Sequence, residues 1–107
     1  MSHVTTHVLD AALGRPAADV PVVLLTDLGI VLDAGATDSD GRIAELGPEH
    51  LDPGVYRLVF DTSAYFAASG QTGFYPRVTI DFEITNGAHY HVPVLLSPFA
   101  YSTYRGS

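Results

Sequence analysis

Alternation of apolar and polar residues with a period of two is the feature that most constrains this chain. In the segment Arg77–Ile84 the residues that share one face of an extended chain are Val78, Ile80, Phe82 and Ile84. The opposite face of that segment carries Arg77, Thr79, Asp81 and Glu83. Tyr56–Asp61 repeats the pattern, with Tyr56, Leu58 and Phe60 on its apolar face. This periodicity predicts β-strands that each turn one face toward a hydrophobic core.

The same criterion predicts strands along most of the chain. The further segments are Val4–Asp10, Val20–Thr26, Ile30–Thr37, His89–Leu96 and Tyr101–Arg105, with a short strand after the turn at Ser39-Asp40-Gly41. Asn86-Gly87 stands between two strong strand segments and predicts a tight hairpin. Ser63–Ser69 is the one helical segment, with Asp61 or Thr62 as its N-cap and Gly70 at its end. Seven to eight short strands with one short helix predict an all-β fold, a two-sheet β-sandwich.

Length and charge limit the function classes that the chain can serve. Its 107 residues suit one domain, residues 1–107, and 47% hydrophobic against 16% charged residues argues against disorder. The net charge of −7 disfavours nucleic acid and anionic membranes as partners. There is no cysteine, so disulfides and thiolate chemistry are excluded. No segment is long enough to span a membrane, and the N-terminus lacks a signal-peptide pattern, so we expect a cytoplasmic protein.

Two histidines are the first candidates for chemistry. His89 and His91 share the outer face of an apolar strand, where they are either ordinary solvent-facing residues or a metal pair or general base. Zinc requires a third ligand, and no such spacing is present, so no metal is expected. His7 and Arg42 taken alone are typical of structural or surface residues. A Ser–His–Asp triad stays open, whereas a nucleophile elbow and a P-loop are absent.

The last eleven residues differ from an ordinary frayed terminus. Ser97–Ser107 is rich in tyrosine and small hydroxyl residues and contains Arg105. This composition predicts a segment that docks on the domain, because terminal residues are otherwise polar and mobile. If it docks, the carboxylate of Ser107 becomes a fixed charge available to a site.

Several motifs in order resemble one known family. They are Thr6-His-Val-Leu-Asp10, Gly14-Arg-Pro-Ala17, Ser39-Asp-Gly-Arg42, Phe74-Tyr-Pro76, Tyr90-His-Val-Pro93, Leu95-Leu-Ser-Pro98 and Tyr104-Arg-Gly-Ser107. Together they are similar to the transthyretin-related family of 5-hydroxyisourate hydrolases, from about Val4 to Ser107. Transthyretin itself shares the fold and the Leu-Leu-Ser-Pro stretch but lacks the histidines, the arginine and the Tyr-Arg-Gly-Ser ending. The resemblance therefore favours the hydrolases within this superfamily.

The resemblance implies a transthyretin-like fold, an activity and a set of site residues. The implied reaction is hydrolysis of a lactam bond of 5-hydroxyisourate, a purine-derived small molecule, to 2-oxo-4-hydroxy-4-carboxy-5-ureidoimidazoline in urate degradation. The implied catalytic residues are His7, Arg42 and His91, and the implied substrate-binding residues are Tyr104, Arg105, Gly106 and Ser107. In the implied mechanism Arg42 binds the substrate and stabilises the developing oxyanion. The two histidines activate water and transfer protons. Which histidine is the base is left open.

The resemblance also implies an assembly and leaves alternatives. It implies a homotetramer, a dimer of dimers around a central channel with active sites at its mouths. No cofactor or metal is expected. A small-ligand carrier like transthyretin, with no turnover, is the alternative function, and a structural β-sandwich module is a further one.

Overall fold

The chain folds into two β-sheets that pack face to face, in a computed structural model that describes residues 2–107. The strands are β1 Val4–Asp10, β2 Arg15–Pro16, β3 Pro21–Thr26, β4 Val31–Ala36, β5 Arg42–Leu46, β6 Gly54–Phe60, β7 Val78–Ile84, β8 Tyr90–Ser97 and β9 Ala100–Thr103. One helix, α1, spans Thr62–Ala68. The all-β sandwich predicted from the sequence is thereby confirmed. Within these residues no helix is both long and apolar enough to cross a membrane.

The two sheets have different strand orders. One has the order β2-β1-β8-β9, with β5 also paired to β1. The other has the order β4-β3-β6-β7. Strands β1 and β8 are parallel neighbours from Val4 opposite Tyr90 to Asp10 opposite Leu96. This long-range parallel pairing positions the candidate site, because it sets residues from the two ends of the chain side by side.

The hydrophobic core lies between the sheets and follows the predicted alternation. Tyr56, Leu58 and Phe60 of β6 are buried, and so are Tyr90, Val92, Val94 and Leu96 of β8, on the face opposite to His91. On β7, Val78 and Ile84 are fully buried, and Ile80 and Phe82 are packed against the core. Removal of this apolar area from water is the main stabilising contribution to such a fold.

The predicted hairpin at Asn86-Gly87 is wrong. Strand β7 pairs with β6 in one sheet, whereas β8 pairs with β1 and β9 in the other. The turn therefore carries the chain from one sheet across to the other. Its local chemistry marks a change of direction but does not specify which strand the next segment pairs with. The sequence analysis also missed β2, since two residues are too few to show a period.

Helix α1 lies one residue earlier at each end than the predicted segment Ser63–Ser69, and it has one of the two predicted N-caps. The Asp61 side chain accepts a hydrogen bond from the backbone N–H of Ala64 at 3.0 Å, which makes Asp61 the N-cap. Gly70 follows the helix with a φ of 71°, a left-handed conformation that favours glycine. Tyr65 and Phe66 are buried and attach the helix to the sandwich. The Tyr65 hydroxyl donates to the carboxylate of Asp10 at 2.6 Å, so the helix is tied to the end of β1.

Candidate active site

Strand register brings the candidate catalytic residues together on the outer face of one sheet. Thr5 of β1 lies opposite His91 of β8, and His7 of β1 lies opposite Arg42 of β5. A cavity of about 210 Å³ opens on this face. Its lining includes Thr5, Arg42, Ile43, Ala44, His89, His91 and Ser107. Arg42, His91 and Ser107 of the predicted site therefore share one cavity, while His7 is not among the lining residues.

His91 is held by a neighbouring hydroxyl. Oγ1 of Thr5 lies 2.7 Å from Nδ1 of His91 and 2.9 Å from Nε2 of His89. The two imidazole rings are stacked, with centroids 6.3 Å apart and an angle of 28° between their planes. Because Nδ1 of His91 is engaged by Thr5, Nε2 is the ring nitrogen that remains for a ligand.

The surroundings of His91 favour its neutral form. Burial lowers the pKa of His91, and the positive charges of His89, Arg42 and His7 lower it further. A hydrogen bond to Thr5 opposes this effect. The imidazole therefore keeps a lone pair at a pH where an ordinary histidine is half protonated, which suits a general base.

A tight turn before β5 sets the position of Arg42. The Asp38 carboxylate accepts hydrogen bonds from the backbone N–H groups of Asp40 at 2.8 Å and of Arg42 at 3.0 Å. The hydrogen bond from Arg42 is the largest cause of the lowered pKa of Asp38. Nε2 of His7 lies 2.9 Å from the carbonyl oxygen of Asp40. Since a carbonyl only accepts, Nε2 of His7 carries the proton, and His7 is tied to the same turn as Arg42.

The segment after β9 docks on the domain, as predicted, and it lies beside His91. The backbone N–H of Gly106 donates to the carbonyl oxygen of His91 at 2.9 Å, and the two residues form a β-bridge. A Cβ atom at position 106 would lie 2.5 Å from Cδ2 of His91 and 3.1 Å from Cγ of Pro93. Glycine is thus required for this close approach, which brings Ser107 to the cavity.

Tyr104 and Arg105 line a neighbouring cavity instead. This cavity of about 280 Å³ is bounded by Phe82, Glu83, Tyr90 and His91 as well. The guanidinium carbon of Arg105 lies 4.2 Å from the centre of the Tyr90 ring, a cation–π contact. The structure therefore directs Arg105 onto Tyr90 rather than into the cavity that holds Arg42. His91 borders both cavities.

Known proteins with the same sequence pattern decide the family. The HIUase/Transthyretin family model matches residues 4–106. The chain belongs to this family. A 5-hydroxyisourate hydrolase of Salmonella dublin is 46% identical over 96% of this chain and 79% of its own length. The solved structure of Klebsiella pneumoniae 5-hydroxyisourate hydrolase covers 100% of both chains, with a TM-score of 0.92 and 41% identity.

The family also includes transthyretin. The crystal structure of transthyretin from Sparus aurata is similar with a TM-score of 0.89 and 34% identity, over 99% of this chain and 97% of that one. The fold by itself therefore does not separate a hydrolase from a transthyretin within the HIUase/Transthyretin family.

Sequence reasoning missed the part that Thr5 has in this family member's site. Thr5 is in phase with His7 on β1, which places it on the same outer face, and this signal was available. Its contact with His89 and His91 depends on the parallel β1–β8 pairing, which local patterns do not reveal. The sequence analysis interprets His89 as a solvent-facing residue, one of a metal pair or a general base, and not as a partner of Thr5. Within residues 2–107, no group of three or more histidine and acidic side chains is arranged to hold a metal ion.

Proposed function

We propose that this chain hydrolyses 5-hydroxyisourate to 2-oxo-4-hydroxy-4-carboxy-5-ureidoimidazoline. The observation that carries the proposal is the cavity in which Arg42 and His91 meet, in a chain whose similar relatives are named 5-hydroxyisourate hydrolases. In the reaction a water oxygen bonds to the lactam carbonyl carbon and the carbon–nitrogen bond of the ring breaks. The released nitrogen takes a proton, and the new carboxylic acid ionises to a carboxylate.

His91 is the group that we assign to water activation. Water is a poor nucleophile at neutral pH and needs a base to take its proton as it attacks. Nε2 of His91 is left for this task because Nδ1 is engaged by Thr5. The lowered pKa of His91 favours the neutral imidazole, which can accept the proton of water at Nε2 and then deliver it to the leaving nitrogen.

Arg42 is the group that we assign to the carbonyl oxygen. Attack on the lactam places negative charge on that oxygen, and a fixed guanidinium stabilises it more in the transition state than in the ground state. Arginine also presents paired N–H donors that match the urea-like edge of the substrate ring. The turn held by Asp38 fixes the backbone of Arg42, which favours a preorganised position.

His7 and the final residues have supporting roles in this proposal. His7 is opposite Arg42, and its Nε2–H is held by the Asp40 carbonyl, so we assign it to positioning the turn that carries Arg42. Gly106 and Ser107 border the substrate at the cavity. Tyr104 and Arg105 contact substrate only if it extends toward the neighbouring cavity, which His91 joins to the first. No cofactor takes part.

We also propose a cytoplasmic homotetramer arranged as a dimer of dimers. Strand β9 stands at an edge of its sheet, where unpaired backbone groups favour pairing with a second copy. Phe99, Tyr101 and Tyr104 on and beside this strand are 72%, 41% and 56% exposed. An assembly that covers these rings and the site-bearing face gives a channel with the cavities at its mouths.

A small-ligand carrier is the second candidate function. The likeness to a solved transthyretin favours it, since that protein has nearly the same fold. A carrier needs an open cavity but no base, so the position and lowered pKa of His91 favour the hydrolase instead.

One assay separates the two candidates. 5-Hydroxyisourate is generated freshly with urate oxidase, and the decay of its absorbance is followed with and without the protein. Catalysed decay at substoichiometric protein supports the hydrolase. Saturable binding of substrate without faster decay supports the carrier.

A further inference from the structure

The Thr5 hydroxyl lies between two imidazole rings and has only one proton to donate to them. Its oxygen is within hydrogen-bond distance of Nε2 of His89 and of Nδ1 of His91, at 2.9 Å and 2.7 Å. A threonine hydroxyl has one proton to donate and lone pairs with which to accept. It can therefore donate to only one of these nitrogens, and the other nitrogen must itself carry a proton and donate to the oxygen.

This arrangement couples the tautomers of the two histidines. When the hydroxyl donates to His89, Nδ1 of His91 carries the proton, and Nε2 of His91 has a lone pair. When the hydroxyl donates to His91 instead, a neutral His91 carries its proton on Nε2 and cannot accept one there. Only the first arrangement gives a base at the nitrogen that Thr5 leaves free.

The cavity favours the first arrangement. Thr5 engages Nδ1 of His91 and His91 lines the cavity, so Nε2 is the ring nitrogen left for a group in the cavity. Arg42 and the C-terminal Ser107 both line that cavity, and of the two it is Arg42 whose charge lowers the pKa of His91; its guanidinium offers donors only. A lone pair is favourable beside such a group, whereas a second N–H is not. His89 is exposed, so its Nδ1 can carry a proton and donate it in a hydrogen bond to water.

We propose that Thr5 is a positioning residue that fixes His91 in the Nδ1–H tautomer, with His89 as the acceptor that holds the Thr5 proton away from His91. The charged or titratable groups that act on His91 are His7 from β1, Arg42 from β5 and His89, which directly precedes β8. Arg105, from the segment after β9, is stacked on the adjacent Tyr90. The catalytic consequence of the tautomer rests on the proposed function, but the tautomer itself does not.

The direct test is the tautomeric state of the histidines in solution. Two-bond ¹⁵N–¹H correlation spectra of the ¹⁵N-labelled protein, recorded at a pH where the histidines are neutral, distinguish Nδ1–H from Nε2–H. We expect Nδ1–H for both His91 and His89 in the unaltered chain. Thr5→Val keeps the shape of the side chain without the hydroxyl and should give His91 a mixture with more Nε2–H. Thr5→Ser should keep the original state, and Thr79→Val, on the exposed face of β7, is the control for a threonine replaced elsewhere.

Kinetics supply the second readout. Thr5→Val should lower kcat by about tenfold or more with a smaller change in KM, since a histidine held in the wrong tautomer loses its function as a base. Thr5→Ser should stay within about threefold of the unaltered chain, because it keeps the hydroxyl that directs the imidazole.

Two results would overturn the inference. One is a predominantly Nε2–H His91 in the unaltered chain, and the other is an unchanged tautomer in Thr5→Val. If Thr5→Val does not fold, His89→Ala decides, since loss of the acceptor should release the Thr5 proton toward His91 and raise the Nε2–H fraction. A chain that shows the Thr5-dependent tautomer but no turnover of 5-hydroxyisourate would leave this inference standing and refute the proposed function.

Discussion

The backbone of Gly106 lies against the imidazole of His91, and the two residues form a β-bridge through an N–H to carbonyl hydrogen bond of 2.9 Å. A side chain at position 106 would overlap the ring, because its Cβ would come to 2.5 Å from Cδ2. The docked segment therefore supports the orientation of the proposed base as well as the wall of the cavity.

Gly106→Ala should displace His91 and reduce turnover. We expect kcat/KM to fall on the order of 100-fold, the effect of a catalytic group moved by about 1 Å. Gly87→Ala is the matched control, because a Cβ there meets no atom within 4 Å. Thermal unfolding of both variants should remain cooperative. Equal activity of the two variants would show that the Gly106 contact does not position His91.

The pH dependence of activity should reflect the environment of His91. Because burial and neighbouring cations lower its pKa, the acid limb of kcat/KM should fall below about 6.5, the ordinary value for histidine. Activity is present above that lowered pKa and is lost as the pH falls through it. His89→Gln removes one of the positive charges that disfavour protonation of His91. The acid limb of this variant should therefore lie at a higher pH. A limb that moves downward or stays in place would contradict this electrostatic account.

Asp10 and Tyr65 should account for a measurable part of the stability. Burial by itself raises the pKa of Asp10, but hydrogen bonds from Tyr65, Leu13, Gln71 and Ala12 outweigh it and lower the pKa. Burial and the bond to Asp10 raise the pKa of Tyr65 to about 12. Tyr65→Phe should lower the free energy of unfolding by about 1–3 kcal/mol, since it leaves a buried carboxylate with one donor fewer.

The stability of the Asp10 contact has a defined pH window. A depressed carboxylate pKa contributes stability above the unfolded value near 3.9, and that stability is lost as the pH falls through the folded value. Denaturant unfolding at neutral and at acidic pH should therefore show a difference between Tyr65→Phe and the unaltered chain that shrinks in acid. Tyr75→Phe, on an exposed ring away from Asp10, is the control. A difference that grows in acid would refute this linkage.

Assembly can be measured independently of chemistry. Light scattering should report four times the mass of one chain. The reason is that we expect further copies of the chain to bury the exposed rings beside β9 and the face that carries the site. Replacing Phe99 with Asp should weaken the assembly, since a charge cannot be buried there without a partner. A monomeric chain with full activity would contradict the placement of the site at a subunit interface.

The sequence predicted most of the fold because alternation is a local signal. Strand β1 was predicted with the bounds Val4–Asp10 that the structure has. The Asp61 cap was also predictable, since capping depends on residues within one turn. The pairing of β8 with β1 was not, because strands more than 80 residues apart in the chain meet only after folding. The false hairpin at Asn86-Gly87 has the same origin.

The site was predicted in part for a related reason. The family motifs pointed to Arg42, His91 and Ser107, which share a cavity. They gave no role to Thr5, because its contacts with His89 and His91 form only when β1 pairs with β8. They also grouped Arg105 with the site, whereas a cation–π contact holds it on Tyr90. Motifs identify residue types in order, but only the packed structure gives the direction of each side chain.

The decay of 5-hydroxyisourate with the unaltered chain and with His91→Ala tests the central claim most directly. The unaltered chain should accelerate the decay well beyond the spontaneous rate, and His91→Ala should lose about two to four orders of magnitude in turnover while it stays folded. His50→Ala is the matched control, since that side chain is 70% exposed and lies outside the cavity. Decay no faster than the spontaneous rate with the unaltered chain, or full activity in His91→Ala, would contradict the account.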